Sequence, residues 1–303
     1  MNASDSPATT TALLGPMRLP FLVLTPACVL LGVGAAFYRS GRVDLLQAVI
    51  VLIGAVAAHI SVNALNEYFD FRSGLDLRTH RTPFSGGSGT LAAQPATAPK
   101  ALTTGLVAMS ITGVVGLYFV LVRGTALLPV GVAGMLTIAV YTVWFTRYPF
   151  LCLIAPGLGF GTFMVMGTGF ALTGQYSWTA FVASLVPFFL VNNLLLLNQF
   201  PDVEADRSIG RNTLPIVTGR RVSSWTYIAF LILTYASIVG GVLANQLPAW
   251  ALLGLLTVPL AVRAGTGAYQ HADDIPNLIP FMVQNVLLNI LTPVLVAVGL
   301  FLS

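Results

Sequence analysis

Long apolar runs alternate with short polar breaks along almost the whole chain. A run must reach about 20 residues to span hydrocarbon as a helix. Nine runs qualify or nearly so: 18–38, 45–67, 100–122, 125–145, 149–172, 178–199, 222–243, 248–266 and 278–301. They are continuous rather than alternating, which argues for helices and against a transmembrane β-barrel. The expected fold is therefore all-α: a polytopic bundle of nine transmembrane helices around a central cavity, with a loop cap on one face. The fourth and fifth runs are joined by a tight turn at Thr146-Arg147-Tyr148-Pro149, and the fifth is rich in glycine. Small residues of that kind allow close helix approach.

Composition agrees with the pattern. Of 303 residues, 56% are hydrophobic and only 8% charged, against roughly 25% charged in soluble domains. A lipid bilayer is the expected partner of so much apolar surface. Residues 1–16 read as a disordered Ser/Thr/Ala tail without a basic start, so no cleavable secretory signal is expected. Residues 17–303 then form one membrane domain. The net charge of +4 is spread over many loops and gives no nucleic-acid signature. Cys28 and Cys152 lie inside apolar runs and are expected as buried free thiols.

Charge sets the orientation. With the N-terminus on side one, eleven basic residues fall on that side: Arg18, Arg72, Arg78, Arg81, Lys100, Arg147, Arg207, Arg211, Arg220, Arg221 and Arg263. Only Arg39, Arg42 and Arg123 fall on side two. The positive-inside rule makes side one cytoplasmic, which places the N-terminus there, in the cell inner membrane. The longer loops, 70–99 and 201–221, share this face, and long loops in compact proteins tend to be functional.

Two stretches on this face carry the candidate chemistry. The first is Asn63-Ala-Leu-Asn66-Glu67-Tyr-Phe-Asp70-Phe-Arg72-Ser-Gly74-Leu-Asp76, and the second is Asn198-Gln-Phe-Pro201-Asp202-Val-Glu204-Ala-Asp206. Asn66 to Asp70 and Asn198 to Asp202 are both i to i+4, so each pair shares a helix face. Asn63 and Asp206 extend the two stripes. Polar and acidic groups at the end of a membrane span are costly and tend to be functional. Two like charges 4 Å apart repel by about 4 kcal/mol at an effective dielectric near 20, so clustered Asp70, Asp76, Asp202 and Asp206 require cations. Mg²⁺ suits such oxygen donors and keeps positions for phosphate and water. The expected arrangement is a pair of ions gripping a diphosphate. Pro201 is expected either to end the sixth helix or to kink it; either way the backbone breaks at the site. The run Arg78-Thr-His80-Arg81-Thr-Pro-Phe-Ser-Gly-Gly-Ser-Gly89 fits a lid over phosphate or a plain linker. Arg81, Arg147, Arg207 and Arg211 fit diphosphate contacts or loop anchors, and Tyr141 flanks the same face. His59 reads as a satisfied interior histidine, Asn285 and Asn289 as interhelical glue, and Asp273-Asp274 as solvated.

At these residues the chain resembles the UbiA superfamily of intramembrane aromatic prenyltransferases. Asn66 to Asp76 is similar to its first aspartate-rich motif, and Asn198 to Asp206 with Arg207-Ser-Ile-Gly210-Arg211-Asn-Thr213-Leu214 is similar to its second. The six-residue Asp70–Asp76 spacing around Gly74 resembles the 1,4-dihydroxy-2-naphthoate/menaquinone branch. The resemblance implies Mg²⁺ bound by Asn66, Asp70, Asp76, Asn198, Asp202 and Asp206. It implies a polyprenyl diphosphate donor and a small aromatic acceptor joined by a C–C bond. Asn63, Arg72, Arg81, Tyr141, Arg147, Arg207 and Arg211 are the further substrate-binding candidates. Other acceptors also fit: 4-hydroxybenzoate, a glycerol-phosphate lipid or a chlorophyll-type alcohol. A different class, an ion-coupled transporter, would set its acids near the bilayer midplane rather than at span ends.

Overall fold

A computed structural model describes residues 14–303. The part of the expected tail at 1–13 lies outside the described residues. Gly15–Met17 already forms a 3₁₀ turn with Pro16 buried, so the ordered chain begins before residue 17.

Each expected span is a helix: α1 Gly15–Ser40, α2 Leu45–Ser73, α3 Pro95–Arg123, α4 Thr125–Val140, α5 Pro149–Thr173, α6 Trp178–Ser208, α7 Arg220–Leu243, α8 Ala249–Gln270 and α9 Ile275–Phe301. All but α4 are long and apolar enough to cross a membrane; α4 is shorter. The described residues contain no strand. The chain is thus an all-helical, multi-pass membrane protein. Helix α6 is the most buried. It packs on α1, α5, α7 and α9, while α2 lies along α3, and α9 along α1 and α8.

Two helices run further than expected. Helix α2 continues past Asp70 to Ser73, where Gly74 ends it at φ 76°. That left-handed conformation suits glycine. Helix α6 continues through Pro201 to Ser208, so the backbone does not break at the second stretch. Proline costs one helical hydrogen bond, which a long helix packed by neighbours absorbs. The expected 20-residue loop shrinks to a turn plus the short helix Leu214–Thr218.

Helix α5 contains a π-helical segment, Leu158–Phe163, in which Met164 N–H donates to the Gly159 carbonyl five residues back. Pro156 precedes it, and the Gly157 N–H donates outside the helix to Asn192 Oδ1 of α6 at 2.6 Å. Residues at spacings of four, Ala155, Gly159, Phe163, Gly167 and Ala171, all face one cavity. In a pure α-helix that spacing drifts around the axis; the wider π turn takes up the drift. The back of α5 meets α6 with no room to spare. A Cβ at Gly157 would sit 2.2 Å from the Phe188 carbonyl oxygen and 2.5 Å from Asn192 Nδ2. Gly157→Ala is therefore expected to cost about 3 kcal/mol, read as a lower unfolding temperature in detergent. Gly159→Ala, with nothing within 4 Å of its Cβ, is expected to show no loss.

The interior histidine and the free thiols stand as expected. His59 is buried and within hydrogen-bond reach of Thr25 Oγ1, 2.8 Å from its Nδ1. Cys28 and Cys152 are buried and unpaired. Asn285 joins helices, donating to the Asn193 carbonyl and accepting from Tyr227 Oη at 3.1 Å. Asn289 donates within its own helix. Asp274 has a local role, capping α9 through the Asn277 N–H, and Asp273 lies 3.8 Å from Arg220.

Candidate active site

The first acidic stretch is built by a helix end and a reversal. After Gly74 a 3₁₀ turn, Leu75–Leu77, folds Asp76 back into a buried position beside Glu67. The six-residue spacing is thus that of a carboxylate on the helix and one on the returning chain. At Gly87 (φ 70°) a Cβ would lie 3.1 Å from Glu67 Oε1 and 3.3 Å from Asp76 Oδ1. The Gly/Ser run therefore folds over these two acids and is no free linker. Ser88 donates its N–H and its hydroxyl to the Glu67 carboxylate, at 2.6 and 2.9 Å.

The second stretch stays helical, so Asp202 and Asp206 lie on one stripe of α6. Past Ser208 the chain turns at Gly210, and the Arg211 N–H donates to the Asp206 carbonyl. That turn aims Arg211 back at the helix. Its guanidinium donates to Asp206 Oδ1 at 2.9 Å and also to Asp70 Oδ1 of the first stretch. All three side chains are nearly buried. One cation thus ties both acidic stretches together. The two carboxylates hold the Arg211 guanidinium above its ordinary pKa. Arg78 adds a second tie across the site, donating to Ser208 on α6.

Arg18 and Glu67 belong to the same assembly, and sequence reasoning missed both as site residues. Glu67 is fully buried and pairs with Arg18 Nε at 2.8 Å, while Arg18 Nη2 donates to Asn66 Oδ1 at 3.2 Å. Arg18 stands at φ 51°, a conformation that non-glycine residues rarely take. The available signal was its place: the one basic residue at the start of the first span.

The other candidates separate cleanly. Asn63 donates to the Met17 carbonyl, and Asn66 donates to Thr142 Oγ1. Tyr141 and Asn198 line the cavity described below. Four arginines are not brought to the acids. Arg72 and Arg147 are exposed and make no ion pair among the described residues. Arg207 forms an exposed pair with Glu204 at 2.9 Å, because a three-residue helical step places both on the solvent side of α6. Arg81 is exposed and donates to the Ser88 carbonyl within its own loop.

A cavity of about 430 Å³ opens beneath this assembly. Its polar end carries Arg18, Asn63, Asn66, Tyr141 and Asn198, and its body is apolar down to Val51, Phe119 and Leu127. From Asn66 to Val51 along α2 is about 22 Å at the helical rise.

The donor set fits a hard divalent cation. Asp76 Oδ2 and Asp202 Oδ1 are buried oxygens without a hydrogen-bond partner, and such orphans call for an explanation, an ion among them. Burial pushes the Asp76 carboxyl up to about 7, and the charges of Glu67 and Asp70 add to the rise. The cluster is short of positive charge. Among the described residues no three acids, cysteines or histidines close on one point as a finished metal cage. Mg²⁺ does not need one, because it takes one or two carboxylates together with water and phosphate oxygens.

The sequence pattern of the UbiA prenyltransferase family matches residues 25–289. A 1,4-dihydroxy-2-naphthoate octaprenyltransferase of Bacillus subtilis (strain 168) is 30% identical over 91% of this chain and 87% of its own. Among solved structures, a UbiA homolog from Aeropyrum pernix K1 superposes with a TM-score of 0.71 at 18% identity, covering 93% of this chain and 97% of its own. A UbiA homolog from Archaeoglobus fulgidus, bound to GPP and Mg²⁺, gives 0.60 at 14% identity, with coverages of 95% and 99%.

Proposed function

The chain belongs to the UbiA prenyltransferase family, and from that premise we propose that it transfers a polyprenyl group from its diphosphate to a 1,4-dihydroxy-2-naphthoate-like aromatic acceptor. That it is a membrane prenyltransferase follows from the family. The acceptor rests on the naphthoate relative and on the Asp70–Asp76 spacing. The observation that carries the reading is the junction of two unlike environments: a carboxylate cluster tied by Arg211, and an apolar cavity that begins at Asn66 and Asn198. A donor with a diphosphate head and an isoprenoid tail has that same division.

Asn66, Asp70, Asp76, Asn198, Asp202 and Asp206 would hold Mg²⁺. The bound ion supplies Lewis-acid stabilisation of the departing diphosphate and a template for its oxygens. Arg211 and Arg18 add fixed positive charge where the leaving diphosphate gathers negative charge. The apolar wall keeps water from the allylic carbon as its C–O bond breaks. An electron-rich ring carbon then forms the new C–C bond and restores the ring by losing its proton, or by losing its carboxyl group as carbon dioxide and a proton. The excess of basic residues on this face supports a cytoplasmic orientation for the site and the N-terminus, at the inner membrane.

The test is product analysis. Protein reconstituted in lipid nanodiscs is given octaprenyl diphosphate and a panel of hydroxylated naphthoates and benzoates. A prenylated naphthol is expected by mass spectrometry, with formation stopped by chelation of Mg²⁺. Prenylation of a glycerol-phosphate lipid with no aromatic product would overturn the acceptor; product formation under full chelation would overturn the metal.

A further inference from the structure

The wall of the cavity is bare at particular depths. Gly159 on α5 and Gly131 on α4 both line it, and a Cβ at either would have nothing within 4 Å. The lining also carries bulky side chains, Phe119, Phe160, Phe163 and Met164 among them. Gly116 on α3 lines the cavity and is bare in the same way, and Gly159 and Gly131 lie at different levels. Phe160, next to Gly159, packs at a steep angle against the His59 ring with centroids 4.6 Å apart, and His59 lies about 10 Å below Asn66 at the helical rise. Gly131 adjoins Val130, which stands 3.7 Å from a Cβ built at Gly167. Gly167 is on α5, about 12 Å beyond Gly159 on the same basis. Gly159 thus leaves space midway down the cavity and Gly131 leaves space near its floor.

We infer that Gly159 and Gly131 are specificity-determining residues for donor length, their missing side chains leaving the space along which successive isoprene units of the tail lie. The inference rests on the proposed prenyl transfer and adds to it a graded selectivity. A leucine at either position adds apolar volume at the cavity lining with no neighbour to displace at its Cβ. Such a side chain competes with the tail only where the tail is long enough to reach it. The diphosphate end, formed by other residues, is untouched. Differences of a few buried carbons in a hydrophobic pocket change discrimination by about tenfold to a hundredfold.

The experiment uses the full chain in nanodiscs, with initial rates on geranyl, geranylgeranyl and octaprenyl diphosphates and one acceptor. Gly131→Leu is expected to leave geranyl transfer unchanged and to lower octaprenyl transfer by about tenfold or more. Gly159→Leu is expected to impair geranylgeranyl transfer as well, so that the length limit follows depth. Leucine favours helix over glycine, so both variants should fold, and unfolding temperature checks this. Equal losses on all three donors, unchanged donor profiles, or a limit in the reverse order would each overturn the inference. An unmodified protein that transfers none of the donors would instead defeat the proposed reaction itself. Transfer by the unmodified chain with no change in the variants defeats only the length assignment.

Discussion

Asp202→Asn is expected to lower prenyl transfer by about 100- to 1000-fold while leaving the fold intact. The prediction singles out Asp202 because of what surrounds it. Among the described residues it forms no ion pair, and its Oδ1 has no hydrogen-bond partner. Removing its charge therefore leaves no stranded counter-ion and relieves a buried anion. Asp70 is a poorer probe, since its loss also breaks the pair with Arg211. Initial rates in nanodiscs, with unfolding temperature measured on the same preparations, separate the two effects. A folded Asp202→Asn protein with rates within about twofold of the unmodified chain would remove Asp202 from the site.

Arg211→Gln carries the largest expected effect on stability. Asp70 and Asp206 would keep their burial and lose the one cation they share. Breaking a buried ion pair from one side costs about 3–5 kcal/mol, because the remaining charge is uncompensated. Added Mg²⁺ should return part of this, since it supplies charge to the same oxygens. Thermal unfolding with and without Mg²⁺ reads both effects. A variant as stable as the unmodified chain without Mg²⁺ would show that Arg211 does not hold the two stretches together.

The spans and both acidic stretches were legible because they depend on local pattern. A run of apolar residues has one use in a membrane, and a four-residue spacing has one geometry on a helix. The course of α6 through Pro201 was not legible. Proline weakens a helix locally, and only the packing of α6 among its neighbours decides that it continues. Arg211 and Arg207 looked alike in sequence. The turn at Gly210 sends Arg211 inward to Asp70, far away along the chain, while the helical step from Glu204 sends Arg207 outward. Glu67 stands inside the first stretch with nothing in the local pattern to mark its role. Its partner Arg18 comes from another helix, and no short-range pattern encodes that pair. The Gly/Ser run was ambiguous for a similar reason, since its role depends on Ser88 reaching Glu67.

The central claim is that the two acidic stretches act as one site for metal and diphosphate. A double-mutant cycle tests it most directly. The quantity measured is the stabilisation against heat given by Mg²⁺ together with a non-reactive prenyl diphosphate analogue, for the unmodified chain, Asp76→Asn, Asp202→Asn and the double variant. One shared site predicts that either substitution removes most of that stabilisation and that the second adds little. Independent, additive losses, or stabilisation that survives in both single variants, would contradict it.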